Sequence, residues 1–293
     1  MKWFDYAAPR SVSEAVGLLA SHPGARLLAG GTDLLVQLRA GRKETDCVVD
    51  LKRIPELNAI DYDPQRGLTL GAAVPCYRIY GDSAVSRNYP ALAEVAALIG
   101  GTQIQGRASI GGNLCNAAPS ADSIPLLIAM GARCRIAGTK GTREIAVEDF
   151  CIAPGRTVLQ HGELLVAVRL PRPAARTGDA YLRLIPRTEM DIAVAGAGVS
   201  ITLDAAGVCT AARVAIGAVA PTALRVPAAE QALVGSRLDD ASLRHAGEAA
   251  SAAARPIDDK RGTVAYRRTV AGVLTRRAAA LAAQRARQGH DRG

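Results

Sequence analysis

A stretch of small and amide side chains, residues 107–122, constrains this chain more than any other part of its 293 residues. Its sequence, RASIGGNLCNAAPSAD, combines two adjacent glycines with a carboxylate at the far end. A hydrophobic core does not need this composition, and an ordinary turn does not need this length. Because glycine lacks the Cβ that would keep a phosphate away, the pattern predicts a loop whose backbone approaches an anion closely.

An earlier segment has the same character. The apolar run 25–28 predicts a strand, the leucines within 34–38 keep helical spacing, and the glycines 30–31 lie between the two. Thr32 or Asp33 is placed to cap the helix. Backbone amides at such a turn point outward, and the helix dipole favours an anion there. Two such segments suit a diphosphate, which has one phosphate for each.

The simpler interpretation of either segment is an ordinary glycine turn after a strand. One such turn is more often structural than functional, and the presence of two favours phosphate binding. Asp33 complicates this interpretation, because a carboxylate beside a diphosphate is repulsive unless its side chain caps its own helix. We expect Gly111 and Gly112 to make room for the phosphates, so that valine at either position removes the ligand without unfolding the protein.

Charge and composition narrow the function further. The net charge is +9, and aromatic residues make up only 3% of the chain, which is a poor match to a nucleic-acid stacking surface. Arginines crowd residues 255–287, where they alternate with alanine, valine and leucine at helical spacing. This tail could be a solvated helix face or a docking face for an acidic partner subunit. Nucleic-acid binding is the least favoured alternative.

Several kinds of site find no support in the sequence. The six cysteines include no C-x-x-C pair, and the four histidines lack ligand spacing, so we predict no metal site on this chain. A P-loop motif is missing, and the GAG at 196–198 lacks the third glycine of a Rossmann fingerprint. We identify no catalytic acid, base or nucleophile. The sequence shows no signal peptide and no apolar run of about 18 residues, so we expect a cytoplasmic protein without a membrane span.

The order of predicted elements indicates an α+β protein. Helices and strands alternate over residues 1–55, a hairpin spans 58–70, and strands at 132–137, 143–146 and 163–170 follow a set of helices. Residues 171–179 are a plausible boundary. Beyond it, three strand-like runs at 180–185, 193–203 and 211–218 precede a helical tail that ends in a long helix at about 262–287.

Two motifs carry a resemblance to a known family. The segments AGGTDLL at 29–35 and ASIGGNLCNAAPSADS at 108–123 resemble the signatures of the FAD-binding subunit of the molybdenum hydroxylases, the xanthine dehydrogenase and carbon monoxide dehydrogenase family. The similarity extends from the opening Phe4 to the Tyr266 region, which is nearly the whole chain.

The resemblance implies a fold and three domains. It implies a two-lobed FAD-binding domain of the PCMH type, which is vanillyl-alcohol-oxidase-like. Its lobes would be residues 1–55 and 56–176. A C-terminal domain of a small antiparallel sheet with helices would occupy residues 177–293.

The resemblance also implies which residues contact FAD. Asp122 would accept hydrogen bonds from ribose or ribityl hydroxyls, with capping of the next helix as the alternative. Arg183 stands where many relatives have lysine, which leaves its contact open. The implied cofactor-binding residues are Leu28, Ala29, Gly30, Gly31, Thr32, Asp33, Leu34, Leu35, Ile99, Ser109, Ile110, Gly111, Gly112, Asn113, Asp122, Leu165 and Arg183.

By the same resemblance, the chain works within a complex. A large subunit with the molybdenum cofactor would oxidise the substrate, and a small subunit with two 2Fe–2S clusters would pass the electrons to FAD on this chain. The flavin would then reduce NAD⁺, oxygen or a quinone. We expect a dimer of heterotrimers. The alternatives are a stand-alone flavin oxidoreductase of the same fold and a non-enzymatic basic binding module.

Overall fold

The computed structural model describes residues 2–288. The first section of the chain is a small parallel sheet with two helices. Strand β3 lies in the middle of this sheet, between β1 and β2, and pairs in parallel with both. Helix α1 begins at Ser11, whose hydroxyl accepts the Glu14 amide proton. The elements are β1 (Asp5–Ala7), α1 (Val12–Ser21), β2 (Arg26–Leu28), α2 (Leu34–Arg39) and β3 (Cys47–Asp50).

The second section is built on a five-stranded antiparallel sheet with the order β4-β5-β10-β6-β7. Its last strand in sequence, β10, is buried at the centre of the sheet. The elements are β4 (Ile60–Asp63), β5 (Gly67–Gly71), α3 (Cys76–Gly81), α4 (Ser83–Asn88), α5 (Pro90–Ala96), α6 (Thr102–Gln105), α7 (Ile110–Asn116), α8 (Ser123–Ala129), β6 (Arg133–Gly138), β7 (Gly141–Ala146), β8 (Cys151–Ala153), β9 (Arg156–Thr157) and β10 (Leu164–Leu170).

The third section is a four-stranded antiparallel sheet in the order β11-β12-β13-β14, with helices packed on it. Small residues allow helix α11 to pack closely on this sheet. A Cβ on Gly178 of β11 would lie only 2.2 Å from the carbonyl oxygen of Ala282 of α11. The elements are β11 (Thr177–Leu184), β12 (Ala195–Leu203), β13 (Cys209–Gly217), β14 (Leu224–Arg225), α9 (Pro227–Leu233), α10 (Asp240–Ala253) and α11 (Val264–Gln288).

Helix α8 joins the second and third sections. All seven of its residues are buried. A Cβ on Gly198 of β12 would lie 2.6 Å from the backbone carbonyl of Pro125, so the C-terminal sheet rests directly on this helix. Glycine at this position is required by the close approach of two backbones, because any side chain would push the sheet away.

The arginine-rich tail is more than a solvated helix face. Arg267 is 3% exposed and donates to the carbonyl oxygen of Val194, while its other nitrogen contacts Asp259. Arg285 donates to Glu94, which ties α11 to the second section. Part of the basic tail therefore holds the third section together. Among the described residues, no helix is long and apolar enough to cross a membrane.

The α+β fold class is confirmed, and the residues around the second glycine pair differ from the prediction. Residues 107–122 were expected to form a continuous loop, whereas their middle forms α7. The sequence also predicts helices at about 75–82 and 90–100, whereas the structure ends the second of these at Ala96 and has a further helix, α4, between them. The three-domain division stays a prediction.

Candidate functional site

A cleft of about 430 Å³ lies where the first and second sections meet. Its size falls within the range of small-molecule sites, roughly 300–1,000 Å³. The turn at residues 29–34 forms one side, and residues 108–116 form another. The apolar side chains of Leu19, Ile99 and Leu165 add hydrophobic wall between these polar backbones.

The first glycine turn offers free backbone donors to the cleft. Gly31 has φ +80°, a left-handed conformation that turns the chain from β2 into α2. The amides of residues 30–33 donate to no protein acceptor within residues 2–288. Backbone amides rarely lack a partner unless water or a ligand takes that place. Four such donors in a row can receive the oxygens of an anion.

The two glycine segments touch each other. A Cβ on Gly30 would lie 2.0 Å from the carbonyl oxygen of Arg107, so the two backbones abut. The Arg107 guanidinium also donates to the Gly30 carbonyl oxygen at 3.4 Å. Gly30 is therefore required by contact between the segments. Together with Ala108, this contact fixes the width of the cleft at its base.

The second glycine segment is held by a helix cap. The hydroxyl of Ser109 accepts the Gly112 amide proton at 3.0 Å and begins α7. The Cys76 amide donates to the Ala108 carbonyl oxygen at 2.8 Å, which ties the segment to the start of α3. The cap and this contact hold the segment in shape, while the amide of Gly111 donates to no protein acceptor within residues 2–288.

The glycines 111 and 112 have different roles. A Cβ on Gly111 would lie 2.3 Å from the carbonyl oxygen of Ala72, so this glycine packs against the sheet. A Cβ on Gly112 would meet only the Ser109 hydroxyl, at 3.0 Å. That Gly111 makes room for a phosphate stays a prediction, and a valine there would also strike the protein backbone. Gly112 remains able to serve that purpose.

An amide pair bridges the cleft above the glycines. The side-chain nitrogen of Gln37, on α2, donates to the side-chain oxygen of Asn116, at the end of α7, over 3.0 Å. Both residues line the cleft. Asn113, one turn before Asn116, accepts the Ser123 hydroxyl at 2.6 Å. These contacts couple α2, α7 and α8 around one opening.

Asp33 does not cap its helix. It occupies the cap position of α2 but accepts no backbone proton, and its carboxylate lines the cleft. Loss of water contact raises its pKa, and the positive charge of Lys43 lowers it in part. A diphosphate bound in the cleft would therefore meet an uncapped carboxylate and be repelled by it.

Asp122 and Arg183 form an ion pair of 2.5 Å outside the cleft lining. The second carboxylate oxygen accepts the Tyr181 hydroxyl at 2.9 Å. Burial raises the pKa of Asp122, while Arg183 and Tyr181 act in the opposite direction. Asp122 does not cap α8. Because both of its oxygens already accept protein protons, it can bind a flavin hydroxyl only through a remaining lone pair or after a rearrangement.

The structure brings most of the predicted residues together. Leu28 and Ile110 belong to hydrophobic cores, Leu35 is 41% exposed outside the cleft, and Asp122 pairs with Arg183. The predicted residues that line the cleft are Ala29, Gly30, Gly31, Thr32, Asp33, Leu34, Ile99, Ser109, Gly111, Gly112, Asn113 and Leu165. All of these site assignments stay predictions.

Sequence reasoning missed several lining residues. Gln37 follows Asp33 by one helical turn, so the helical spacing could have identified it. Lys43 and Arg26 give no comparable signal, because their positions depend on tertiary structure. Cys115 also lines the cleft.

The cleft fits an FAD-like ligand on the structure's own evidence. Unpartnered amides at residues 30–33 suit a diphosphate, and Gly112 brings a second backbone segment without a side chain into the cleft lining. Ile99 and Leu165 supply apolar wall for a ring. Fold and site together define a flavin-binding domain followed by a sheet-and-helix domain.

Comparisons with known proteins agree with this description. Residues 2–173 match the family model described as the FAD binding domain in molybdopterin dehydrogenase. Residues 180–282 match the CO dehydrogenase flavoprotein C-terminal domain. The chain therefore belongs to the FAD-binding subunits of the xanthine and CO dehydrogenase type of molybdenum hydroxylase, which are subunits of oxidoreductase complexes.

Individual relatives cover nearly the whole chain. The putative xanthine dehydrogenase FAD-binding subunit of Escherichia coli (strain K12) is 32% identical over 94% of this chain and 95% of its own length. The carbon monoxide dehydrogenase medium chain of Hydrogenophaga pseudoflava is 34% identical over the same shares.

Solved structures show the same fold. Carbon monoxide dehydrogenase from Hydrogenophaga pseudoflava, in a form that lacks the Mo-pyranopterin moiety, matches with a TM-score of 0.93 at 35% identity, covering 97% of this chain and 98% of the other. Quinoline 2-oxidoreductase from Pseudomonas putida 86 matches with a TM-score of 0.91 at 33% identity, covering 98% and 99%.

Proposed function

We propose that this chain carries FAD in the cleft between its two glycine segments and is the electron-transfer subunit of a heterotrimeric molybdenum hydroxylase. Its partners would be a large molybdopterin-binding subunit and a small subunit with two 2Fe–2S clusters. When bound, FAD would accept electrons from those clusters and deliver them to NAD⁺, oxygen or a quinone. We further propose that the complex is a cytoplasmic dimer of heterotrimers.

One observation carries the FAD assignment. Four consecutive amides, those of residues 30–33, line the cleft without protein acceptors among the described residues. The capped turn of Ser109 and Gly112 lines the same cleft. An anionic diester placed between these segments would satisfy the free donors, and it would not displace any existing backbone hydrogen bond of that turn.

Each group of residues has a role in binding. The amides of residues 30–33 would hold the diphosphate, and Ser109 would keep the second segment in shape. Ile99 and Leu165 would exclude water from the ring. Asp122, which pairs with Arg183, directly precedes Ser123, whose amide donates to the side chain of Asn113 in the cleft lining. From this position Asp122 would accept hydrogen bonds from ribose or ribityl hydroxyls of the cofactor.

The division of labour among subunits has support from relatives. A medium chain is by name one part of a larger enzyme, as in the carbon monoxide dehydrogenase of Hydrogenophaga pseudoflava. The redox chemistry of a flavin needs no acid or base side chain from this chain, which is consistent with the lack of a predicted catalytic residue. Substrate choice would then depend on the large subunit.

The experiment begins with the purified chain. FAD is added to the deflavinated protein, and the bound cofactor is identified from its absorption spectrum and by chromatography after release. We expect one FAD per chain. A protein that binds no FAD would contradict the cofactor assignment and would favour the non-enzymatic binding module.

A second arm tests the complex. The chain is co-expressed with a large molybdopterin-type subunit and a small 2Fe–2S-type subunit from the same genome, and the purified material is assayed for molybdenum, iron and FAD. We expect co-purification of all three and no oxidation of aldehydes or heterocycles by the isolated chain. Turnover by the FAD-loaded chain alone would favour the stand-alone flavin enzyme and overturn the division of labour.

A further inference from the structure

Two positive charges on one side of the cleft lack an anionic partner. Lys43 and Arg26 both line the cleft, and neither has a carboxylate within 4.0 Å anywhere in residues 2–288. Their side chains also make no hydrogen bond to the described part of the protein. Ordinary surface lysines reach water freely, whereas Lys43 is half-buried. These two charges are therefore available to a ligand.

The chain path explains why Lys43 faces the cleft. Helix α2 ends at Arg39, and Gly41 adopts φ +67°, the left-handed conformation that reverses a chain after a helix. The amides of Arg42 and Lys43 then both donate to the carbonyl oxygen of Gln37. The turn consequently folds back on α2 and brings Lys43 towards the glycine turn, while Arg42 stays exposed.

The charges of Lys43 and Arg26 favour an anion in this part of the cleft. Partial burial and the like charge of Arg26 lower the pKa of Lys43, while Asp33 acts in the opposite direction. Asp33 is thus near enough to feel Lys43 but does not form an ion pair with it. A diphosphate at the amides of residues 30–33 would meet the Asp33 carboxylate, and a cation beside it would offset that repulsion.

We infer that Lys43, assisted by Arg26, supplies the positive charge that neutralises the diphosphate of the cofactor beside the first glycine turn. This inference rests on the proposed FAD site. The glycine amides fix the position of the phosphates, and Lys43 compensates both their charge and that of Asp33. The residue binds the cofactor and takes no part in electron transfer.

The test compares FAD affinity among matched variants of the deflavinated full-length chain. Lys43→Gln removes the charge in the cleft, and Arg42→Gln removes the same charge one residue away at an exposed position. We expect Lys43→Gln to weaken FAD binding at least tenfold at low salt and to flatten its salt dependence. Arg42→Gln should stay within about twofold of the wild type, and Lys43→Arg should recover most of the loss.

Two further measurements separate a direct role from an indirect one. In an Asp33→Asn background, Lys43→Gln should still weaken FAD binding, because the phosphates remain. ADP, which shares the diphosphate, should compete less well in Lys43→Gln than in the wild type. The thermal unfolding of the cofactor-free variants should match that of the wild type.

Specific results would overturn the inference. Equal affinities of Lys43→Gln and Arg42→Gln would show that the charge in the cleft is not used. Loss of the Lys43→Gln effect in the Asp33→Asn background would reduce Lys43 to a counterion of Asp33. If the wild type itself binds no FAD, the proposed function fails first, and that outcome is distinct from either of these.

Discussion

The two glycine pairs look alike in the sequence and differ in the folded protein. In each pair the first glycine is needed for packing: Gly30 abuts the backbone at Arg107, and Gly111 abuts the backbone at Ala72. The second glycine has another purpose, since Gly31 turns the chain and Gly112 lines the cleft, where a Cβ would meet only the Ser109 hydroxyl. Adjacent identical residues can therefore be required for unrelated physical reasons.

The two segments also differ in how their amides are used. In the first turn, the amides of residues 30–33 lack protein acceptors within residues 2–288. In the second, the Gly112 amide is already bound by Ser109. The amide of Gly111 in this second segment also lacks an acceptor in the described part of the chain. The two segments therefore differ in the helix cap, which Ser109 provides at α7 and Asp33 does not provide at α2.

The largest expected effect comes from filling the packing glycines. We expect Gly30→Val and Gly111→Val to destabilise the protein by about 3 kcal/mol or more, because each side chain would overlap backbone atoms that cannot move alone. Soluble yield and thermal unfolding of the cofactor-free protein measure this. Variants as stable as the wild type would remove the distinction between the first and second glycines.

A smaller and more selective effect is expected at Gly112, the second glycine of the pair 111–112. Gly112→Val should leave a folded protein and weaken FAD binding at least tenfold, about 1.4 kcal/mol, because Gly112 lines the cleft and its new side chain would take up room there and press on the Ser109 hydroxyl. Gly112→Ala, with a smaller side chain, should lose less. FAD titration followed by fluorescence measures both. Full affinity in the valine variant would show that no phosphate approaches this position.

The cap of α7 should matter for both stability and binding. Ser109→Ala should cost about 1 kcal/mol of stability, the usual value for an N-cap, and should also weaken FAD binding. Ser11→Ala is the matched control, because Ser11 caps α1 in the same way, outside the cleft lining. It should lose similar stability and keep its FAD affinity. Equal affinities in the two variants would argue against a role for the second segment.

The smallest expected effect is a pH dependence of FAD affinity that comes from Asp33. The pKa of Asp33 is raised above its usual 3.8, so its charged form is disfavoured in the cleft. A bound diphosphate would raise this pKa further, and binding would take up a proton. FAD affinity should therefore rise a few-fold as the pH falls from neutral towards that raised pKa.

Because His22 and His161 also line the cleft, the variant Asp33→Asn is needed to isolate the contribution of Asp33 to the pH dependence. The variant should bind FAD more tightly than the wild type at neutral pH, and the difference should shrink as the pH falls. Identical pH profiles for the two proteins would place Asp33 away from the phosphates.

Sequence patterns predicted the elements that depend on local signals. The hairpin of β4 and β5 was confirmed because its turn contains the Asp63-to-Gly67 sequence with glycine in the left-handed conformation. Helix α11 was predicted from its length and spacing. Both features depend on neighbouring residues, which a sequence displays directly.

Features set by tertiary contacts were harder to predict from the sequence. Helix α7 was predicted as a loop because its two glycines and two asparagines are weak helix formers, and the cap at Ser109 and the packing on Ala72 stabilise it. In the same way, the contact of Gly30 with Arg107 spans 77 residues, and no local signal records it. Lys43 enters the cleft through a turn whose direction only the folded chain defines.

The central place of β10 has a consequence for how the protein is made. This strand, Leu164–Leu170, is the last of its sheet to leave the ribosome, yet it lies between β5 and β6. Until it emerges, the nascent sheet is in two separate pieces, and the Leu165 wall is missing. Capture of the flavin must then wait for most of the first 170 residues to be synthesised. A fragment that stops before Leu164 would contain both glycine motifs and still be unable to retain a cofactor.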